Sequence, residues 1–219
     1  KANISQAKYI YIRPYNDEFI YVDNCFNEEI CSVDKICEIV KEKLDFPVFV
    51  KPSNSGSSVG INKSHNKEEL KEHIKYAAKF DNKILIEQNI NGREVECAVL
   101  GNEDVKASCV GEILPAEEFY TFDAKYKNAE SRVIMPANLP SDLSEKIRKT
   151  AIKAFKAVDG KGLSRVDFFV ENGTNRIIIN EINTLPGFTQ ISMYPKLWET
   201  MGIKYTELLD KLIELAMEK

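Results

Sequence analysis

The sequence predicts an α+β protein of two consecutive halves, each an antiparallel sheet with helices on one side. Three observations carry this. Short apolar runs of strand length are interspersed with four segments of helical spacing. Gly101-Asn102 and Asn172-Gly173 are hairpin signals, which make the strands they join antiparallel. The pattern restarts near residues 91–95, and 219 residues are enough for two small domains. We therefore expect one domain over residues 1–93 and a second over residues 94–219.

In chain order, Lys8–Ile12 and Glu18–Val22 read as strands around Pro14-Tyr15-Asn16-Asp17. Residues 33–44 carry Val33, Ile36, Cys37, Val40 and Leu44 at helical spacing, with Ser32 as N-cap. Pro47–Lys51 is a buried strand, and Ser58–Ile61 is a returning one. Asn66 caps a helix whose apolar face is Leu70, Ile74 and Ala77, with Glu69 as capping-box partner. Ile84–Ile86 closes the first half. In the second, Glu94–Leu100 and Val105–Glu112 flank the Gly101-Asn102 turn. Residues 116–131 have no period and read as a long loop, of a length uncommon unless functional or disordered. A helix over 141–158 turns Leu143, Ile147, Ala151, Ala154, Phe155 and Val158 inward. Val166–Val170 and Ile177–Ile182 form a hairpin. A closing helix over 206–218 buries Leu208, Leu209, Leu212 and Ile213.

The composition is globular: 43% hydrophobic, 29% charged, formal net charge −4 with both signs interspersed. No basic patch points to nucleic acid, and no apolar run approaches the roughly 18 residues that span a bilayer. No apolar leader is visible at the start, and five cysteines without paired spacing predict reduced thiols of a cytoplasmic protein. The chain lacks an initiator Met, so we expect a piece of a longer protein.

Five features carry chemistry. Lys51 ends a strand and Pro52-Ser53-Asn54-Ser55-Gly56-Ser57-Ser58-Val59-Gly60 follows. Such a turn offers N–H and hydroxyl donors to phosphate, with the lysine as a point charge; a plain hairpin with a charged end accounts for the same residues. Asp167, Glu181 and Asn183 form a hard oxygen set suited to Mg²⁺, because positions 181 and 183 share a strand face and a hairpin partner brings Asp167 to it. Glu87 and Glu94 bracket the junction between the halves, where carboxylates suit a ribose or an adenine amino group, although taken in isolation they read as a polar linker. Phe169, beside the oxygen set, suits either a purine or the core. Finally, Lys125-Tyr126 lies in the long loop, and Thr184-Leu185-Pro186-Gly187-Phe188-Thr189 leads to Ser192; Gly187 allows close backbone approach to a ligand.

In order and spacing these segments resemble the ATP-grasp family, and within it the D-alanine–D-alanine ligases, from about Phe46 onward. The resemblance implies two α+β subdomains whose antiparallel sheets grip ATP between them. It implies that Lys51 contacts the α- and β-phosphates and that Ser57 helps hold the glycine-rich loop closed. Glu87, Ile90 and Glu94 would line the adenine and ribose pocket. Lys125 would reach the γ-phosphate, and Tyr126 would shape the second D-alanine site. Asp167, Glu181 and Asn183 would hold two Mg²⁺ or Mn²⁺ ions. Arg165 and the Gly187 backbone would stabilise the oxyanion, and Ser192 would hold the second substrate's carboxylate. ATP phosphorylates the first D-alanine in such ligases, and the amine of the second attacks the acyl phosphate, for peptidoglycan precursors.

That chemistry is positioning and charge neutralisation, in keeping with a sequence that suggests no Ser–His or Cys–His pair. Gln88 stands where the family often has lysine. The family's N-terminal domain is expected to lie outside this chain, leaving the fragment weakly active or inactive alone and the full-length enzyme a homodimer. The rivals are a ligase making D-alanyl-D-serine or D-alanyl-D-lactate, another ATP-grasp ligase, and a non-catalytic nucleotide module.

Overall fold

The computed structural model describes residues 2–23, 25–56, 58–114, 132–189 and 191–218. Ser57, Lys125, Tyr126 and the loop expected over 116–131 lie outside them. The described chain separates into two compact units, Ala7–Ile90 and a second built from Asn91–Leu114 with residues 132–218 and residues 2–6.

In the first unit the elements are β1 (Tyr9–Tyr15), β2 (Glu18–Val22), β3 (Glu28–Cys31), α1 (Val33–Lys43), β4 (Val48–Pro52), β5 (Asn62–Ser64), α2 (Lys67–Ala77) and β6 (Ile84–Gln88). The strands form one sheet in the order β3-β2-β1-β6-β4-β5, with antiparallel pairings throughout. Alternate strand residues Ile10, Ile12, Val48, Val50, Ile84 and Ile86 turn to one face and meet Ile36, Val40, Leu70 and Ile74 of the two helices. Burying such side chains contributes about 1.5–3 kcal/mol each, which fixes the register.

Both helix starts are set locally. Ser32 Oγ accepts from Lys35 N at 3.3 Å, and Asn66 Oδ1 accepts from Glu69 N at 2.9 Å. The Glu69 carboxylate reaches back to Asn66 Nδ2 at 2.8 Å and to the His65 N–H at 2.9 Å.

Two readings of this half are corrected. Ser58–Gly60 is a turn and not a strand: Ser58 and Gly60 have φ of 62° and 77°, left-handed values incompatible with a strand. The returning strand is β5, paired with Val48–Val50. Strand β3 escaped notice because Glu28-Glu29-Ile30-Cys31 is an exposed edge with one buried side chain, so it lacks an apolar alternation.

The second unit contains β7 (Gly92–Leu100), β8 (Lys106–Leu114), β9 (Arg132–Ile134), α3 (Ser141–Ala157), β10 (Leu163–Glu171), β11 (Ile177–Asn183), α4 (Met193–Thr200) and α5 (Tyr205–Met217). Its antiparallel sheet runs β11-β10-β7-β8-β9. One face, with Val95, Cys97, Val99, Val166, Phe168 and Val170, packs on Leu143, Ile147, Ala151 and Phe155 of α3. Helices on one side only were expected, and here the structure differs. Residues 97–100 of β7 are apolar on both faces, and α4 and α5 cover the second through Ala98, Leu100, Tyr194, Leu197, Trp198 and Leu208. Helix α5 also has a narrower seam than its sequence suggests: Leu208 is buried, whereas Leu209 and Ile213 are 39% and 63% exposed.

Among the described residues no helix is long and apolar enough to cross a membrane. All five cysteines are free thiols. Burial raises the thiol pKa of Cys31, Cys37 and Cys109, and pushes that of fully buried Cys97 up to about 12. Exposed Cys25 should therefore react first with a thiol reagent at neutral pH, and Cys97 only on unfolding. Mass mapping of partially labelled protein checks this, and early modification of Cys97 would contradict it.

Candidate functional site

The sheet face opposite α3 in the second unit is divided. Its inner part lies under α4 and α5, and its outer part bears charge. The register explains how. Asp167 of β10 pairs with Glu96 of β7 on one side and with Glu181 of β11 on the other. Directly opposed residues share a face, so three carboxylates form a row across three adjacent strands. One pair along, Arg165 lies between Ala98 and Asn183; one pair the other way, Phe169 lies opposite Glu94. The β10–β11 register shifts between Asp167 and Phe168, a bulge of the kind that re-aims side chains. The hairpin expected to bring Asp167 beside Glu181 and Asn183 is present.

Arg165 lies beside the middle of this row. Its Nε and Nη2 donate to Asp167 Oδ1 and Oδ2 at 2.8 and 2.7 Å, a bidentate pair. Its Nε also lies 3.0 Å from Glu96 Oε2. The Arg165 side chain is 19% exposed, against 3% for Asp167 and 4% for Glu96. Burial alone would lower the guanidinium pKa, but the neighbouring charges of Asp167, then Glu96 and Glu181, hold it above the usual arginine value. Arg165 is therefore a permanent cation, and Asp167 takes two of its five N–H donors.

Asn183 Nδ2 donates to Asp167 Oδ2 at 2.9 Å and to Glu181 Oε1 at 3.4 Å. Among the described residues no group of three or more His, Cys, Asp or Glu side chains is arranged to hold a metal ion alone. Two carboxylates and an amide suit instead a hard cation that keeps other oxygen ligands, the habit of Mg²⁺, once the Asn183 amide turns its oxygen in place of the donating Nδ2 to the set.

After β11 the chain turns through Thr184–Thr189. Ser192 is the N-cap residue of α4 but makes no side-chain cap. Its Oγ instead accepts from Thr189 N at 3.0 Å and lies 2.9 Å from Thr189 Oγ1. Gly187 is packed over this hydroxyl: a Cβ there would stand 3.0 Å from Ser192 Oγ. The Phe188 ring lies between Tyr194 and Tyr205, with centroids 5.6 and 5.4 Å away, and Tyr205 OH donates to Phe188 O at 2.9 Å. These contacts hold the loop that carries Gly187 and Ser192.

In the first unit, Lys51 Nζ donates to Glu87 Oε2 at 2.6 Å from adjacent strands β4 and β6. Both side chains are about four-fifths covered, so an anion approaching Lys51 meets an amine already held in place. Ile90 is half-buried at the end of this unit. A Ser–His contact, which the sequence did not suggest, does exist: Ser64 Oγ lies 2.8 Å from His73 Nδ1. Ser64 is fully buried, and the pair ties β5 to α2.

Glu96 and Tyr205 are the residues that sequence reasoning missed. Glu96 left a signal, an acid two positions after Glu94 in an otherwise apolar strand, and so on the same face. Tyr205 left none, because its partner is a backbone carbonyl 17 residues away.

Comparison with known proteins places this geometry in context. The family described as D-ala D-ala ligase C-terminus matches residues 18–214. A D-alanine–D-alanine ligase of Acetivibrio thermocellus is 55% identical over the whole chain, which covers 55% of that protein. One from Clostridium acetobutylicum is 49% identical over 99% of the chain and 60% of its own length. The chain thus spans a little over half the length of these curated relatives. Among solved structures, VanG D-Ala:D-Ser ligase from Enterococcus faecalis superposes with a TM-score of 0.82 at 34% identity, over 98% of this chain and 57% of that one. The D-alanine–D-alanine ligase from Coxiella burnetii gives 0.79 at 34% identity, over 98% and 52%.

Proposed function

The chain belongs to the D-alanine–D-alanine ligase family, and on that premise we propose that it is the nucleotide- and metal-binding part of an ATP-dependent ligase joining two D-alanines for peptidoglycan synthesis. The observation that carries the reading is the Arg165–Asp167–Glu181–Asn183 cluster on one face of a sheet, with the segment that carries Gly187 and Ser192 following in the chain.

Each residue has a role its chemistry suits. Lys51 supplies a fixed positive charge for phosphate oxygens, and Glu87, Ile90, Glu94 and Phe169 serve the nucleoside. Asp167, Glu181 and Asn183 hold two divalent cations, Mg²⁺ or Mn²⁺, which when bound neutralise phosphate charge. Arg165 presents N–H donors where negative charge develops as an amine attacks an acyl phosphate, joined by the Gly187 backbone N–H. Ser192 and the first N–H groups of α4, which no side chain caps, suit the carboxylate of the second substrate. Ser57, Lys125 and Tyr126 keep the roles given above: loop closure, the γ-phosphate and the acceptor site. No residue here is required as a covalent nucleophile. The reaction places the enzyme in the cytoplasm, and the full-length protein is a homodimer in this reading.

A second reading has one observation in its favour, the superposition on a D-Ala:D-Ser ligase. The D-alanine–D-alanine ligases at 49–55% identity outweigh it. Product analysis of the full-length protein with D-alanine, D-serine and D-lactate as acceptors distinguishes them. D-Alanyl-D-alanine is expected to dominate at neutral pH; preference for D-serine or D-lactate would overturn the acceptor assignment and leave the ATP-dependent chemistry standing.

A further inference from the structure

The row of carboxylates holds one member that the proposed chemistry does not use. Glu96 is the innermost of the three, on the central strand β7 and 3% exposed. Directly opposite it on β8 is Gly111. A Cβ at Gly111 would stand 2.7 Å from Met193 Cε and 2.9 Å from Leu197 Cδ2, so α4 closes tightly over the position beside Glu96. Along the strand on the same face comes Ala98, already part of the apolar layer under α4. Glu96 thus stands at the edge of the hydrophobic layer, with the polar row on its other side. A carboxylate buried this far is retained only with a cationic partner, and Arg165 Nε lies 3.0 Å away.

The arrangement is lopsided. Arg165 gives a bidentate pair to Asp167, the residue that the proposed function also assigns to a divalent cation. A cation on the same carboxylate weakens its hold on the guanidinium, because it offsets the negative charge that attracts the two N–H donors. Glu181 is the exposed outer end of the row and belongs to the same cation set. Glu96 lies on the far side of Asp167 from Glu181, away from that set. It is the carboxylate beside Arg165 that this set leaves unused.

We propose that Glu96 is a positioning residue: it anchors the Arg165 guanidinium so that the group keeps its place when Asp167 turns its oxygens to a cation. This rests on the ligase reading of the site and adds to it a residue which never touches substrate. An oxyanion donor displaced by about 1 Å can lose on the order of 10²-fold in rate, so an anchor matters even without contact.

The test is a double-substitution cycle in the full-length protein. Glu96→Gln keeps shape and removes charge. It is expected to lower kcat about 10- to 100-fold, while the dissociation constant for Mg·ADP changes less than about 3-fold. In an Arg165→Lys background the same change should cost nothing further, because the anchor has no fork left to hold. Equal losses in both backgrounds, or a kcat within about 2-fold of the parent, would overturn the role. Should Glu96→Gln fail to fold, Glu96→Asp, which withdraws the charge by one methylene, is read the same way.

A second readout does not depend on turnover. The Arg165 Nε–H resonance, assigned by its absence in Arg165→Lys, is expected to exchange slowly with water in the parent before and after Mg²⁺ and ADP are added. In Glu96→Gln it should exchange at least about 10-fold faster once both are present. Unchanged exchange sinks the anchor. An inactive parent with an intact anchor signature would instead fault the ligase reading and leave the anchor standing.

Discussion

Arg165→Lys is expected to lower kcat for D-alanyl-D-alanine synthesis by on the order of 10²–10³-fold, the cost of one preorganised oxyanion donor. The substitution is chosen because it keeps a positive charge among Asp167, Glu96 and Glu181. Truncation to alanine would leave carboxylates buried without a counter-ion, costing about 3–5 kcal/mol of stability and confusing unfolding with catalysis. Lysine cannot reproduce the two parallel bonds at 2.8 and 2.7 Å, so the remaining N–H groups lose their aim. Steady-state kinetics of the full-length protein, with circular dichroism to establish folding, gives the answer. The loss should appear in kcat, with the KM for ATP little changed. A variant that turns over within a few-fold of the parent would remove Arg165 from the chemistry.

The larger effect is expected at Asp167. Asp167→Asn preserves the side-chain volume under β7 and β11 but removes a charge from the middle of the row. The cation set then has Glu181 and Asn183 alone, and Arg165 loses its bidentate partner. A metal at such a site contributes several kcal/mol of charge stabilisation, so a loss of about 10³-fold or more in kcat follows. Unlike the effect of Arg165→Lys, part of this loss should be recovered at high Mn²⁺, which accepts nitrogen and carbonyl donors more readily than Mg²⁺. Loss without any metal dependence would point to damaged packing and not to a missing ligand.

Much of this was legible in the chain itself, and the reasons differ by element. Ser32 and Asn66 announced α1 and α2 because capping is local chemistry, written within four residues. The β10–β11 pairing followed from Asn172-Gly173, since a tight turn leaves few registers to choose from. Strand β3 and helix α4 were missed for opposite reasons: β3 is exposed and short, whereas Met193–Thr200 is buried on most sides and so shows no amphipathic stripe. The same burial hid the second helical layer on the sheet.

At the site, Asp167, Glu181 and Asn183 were expected on one face because strand periodicity alternates sides, and Arg165 was named through the family resemblance. Glu96 was not, because its role depends on a cross-strand neighbour 71 positions away, and register between distant strands is set by packing that no local pattern encodes. Tyr205 is similar: a phenol that meets a carbonyl leaves no motif.

Calorimetric titration of this 219-residue chain with a non-hydrolysable ATP analogue, with and without Mg²⁺, tests the central claim most directly. The account predicts binding that strengthens with Mg²⁺, and a Mg²⁺ contribution that disappears in Asp167→Asn combined with Glu181→Gln. Binding indifferent to Mg²⁺, or equally Mg²⁺-dependent in that double variant, would contradict the assignment of Asp167, Glu181 and Asn183 to a metal-bound nucleotide.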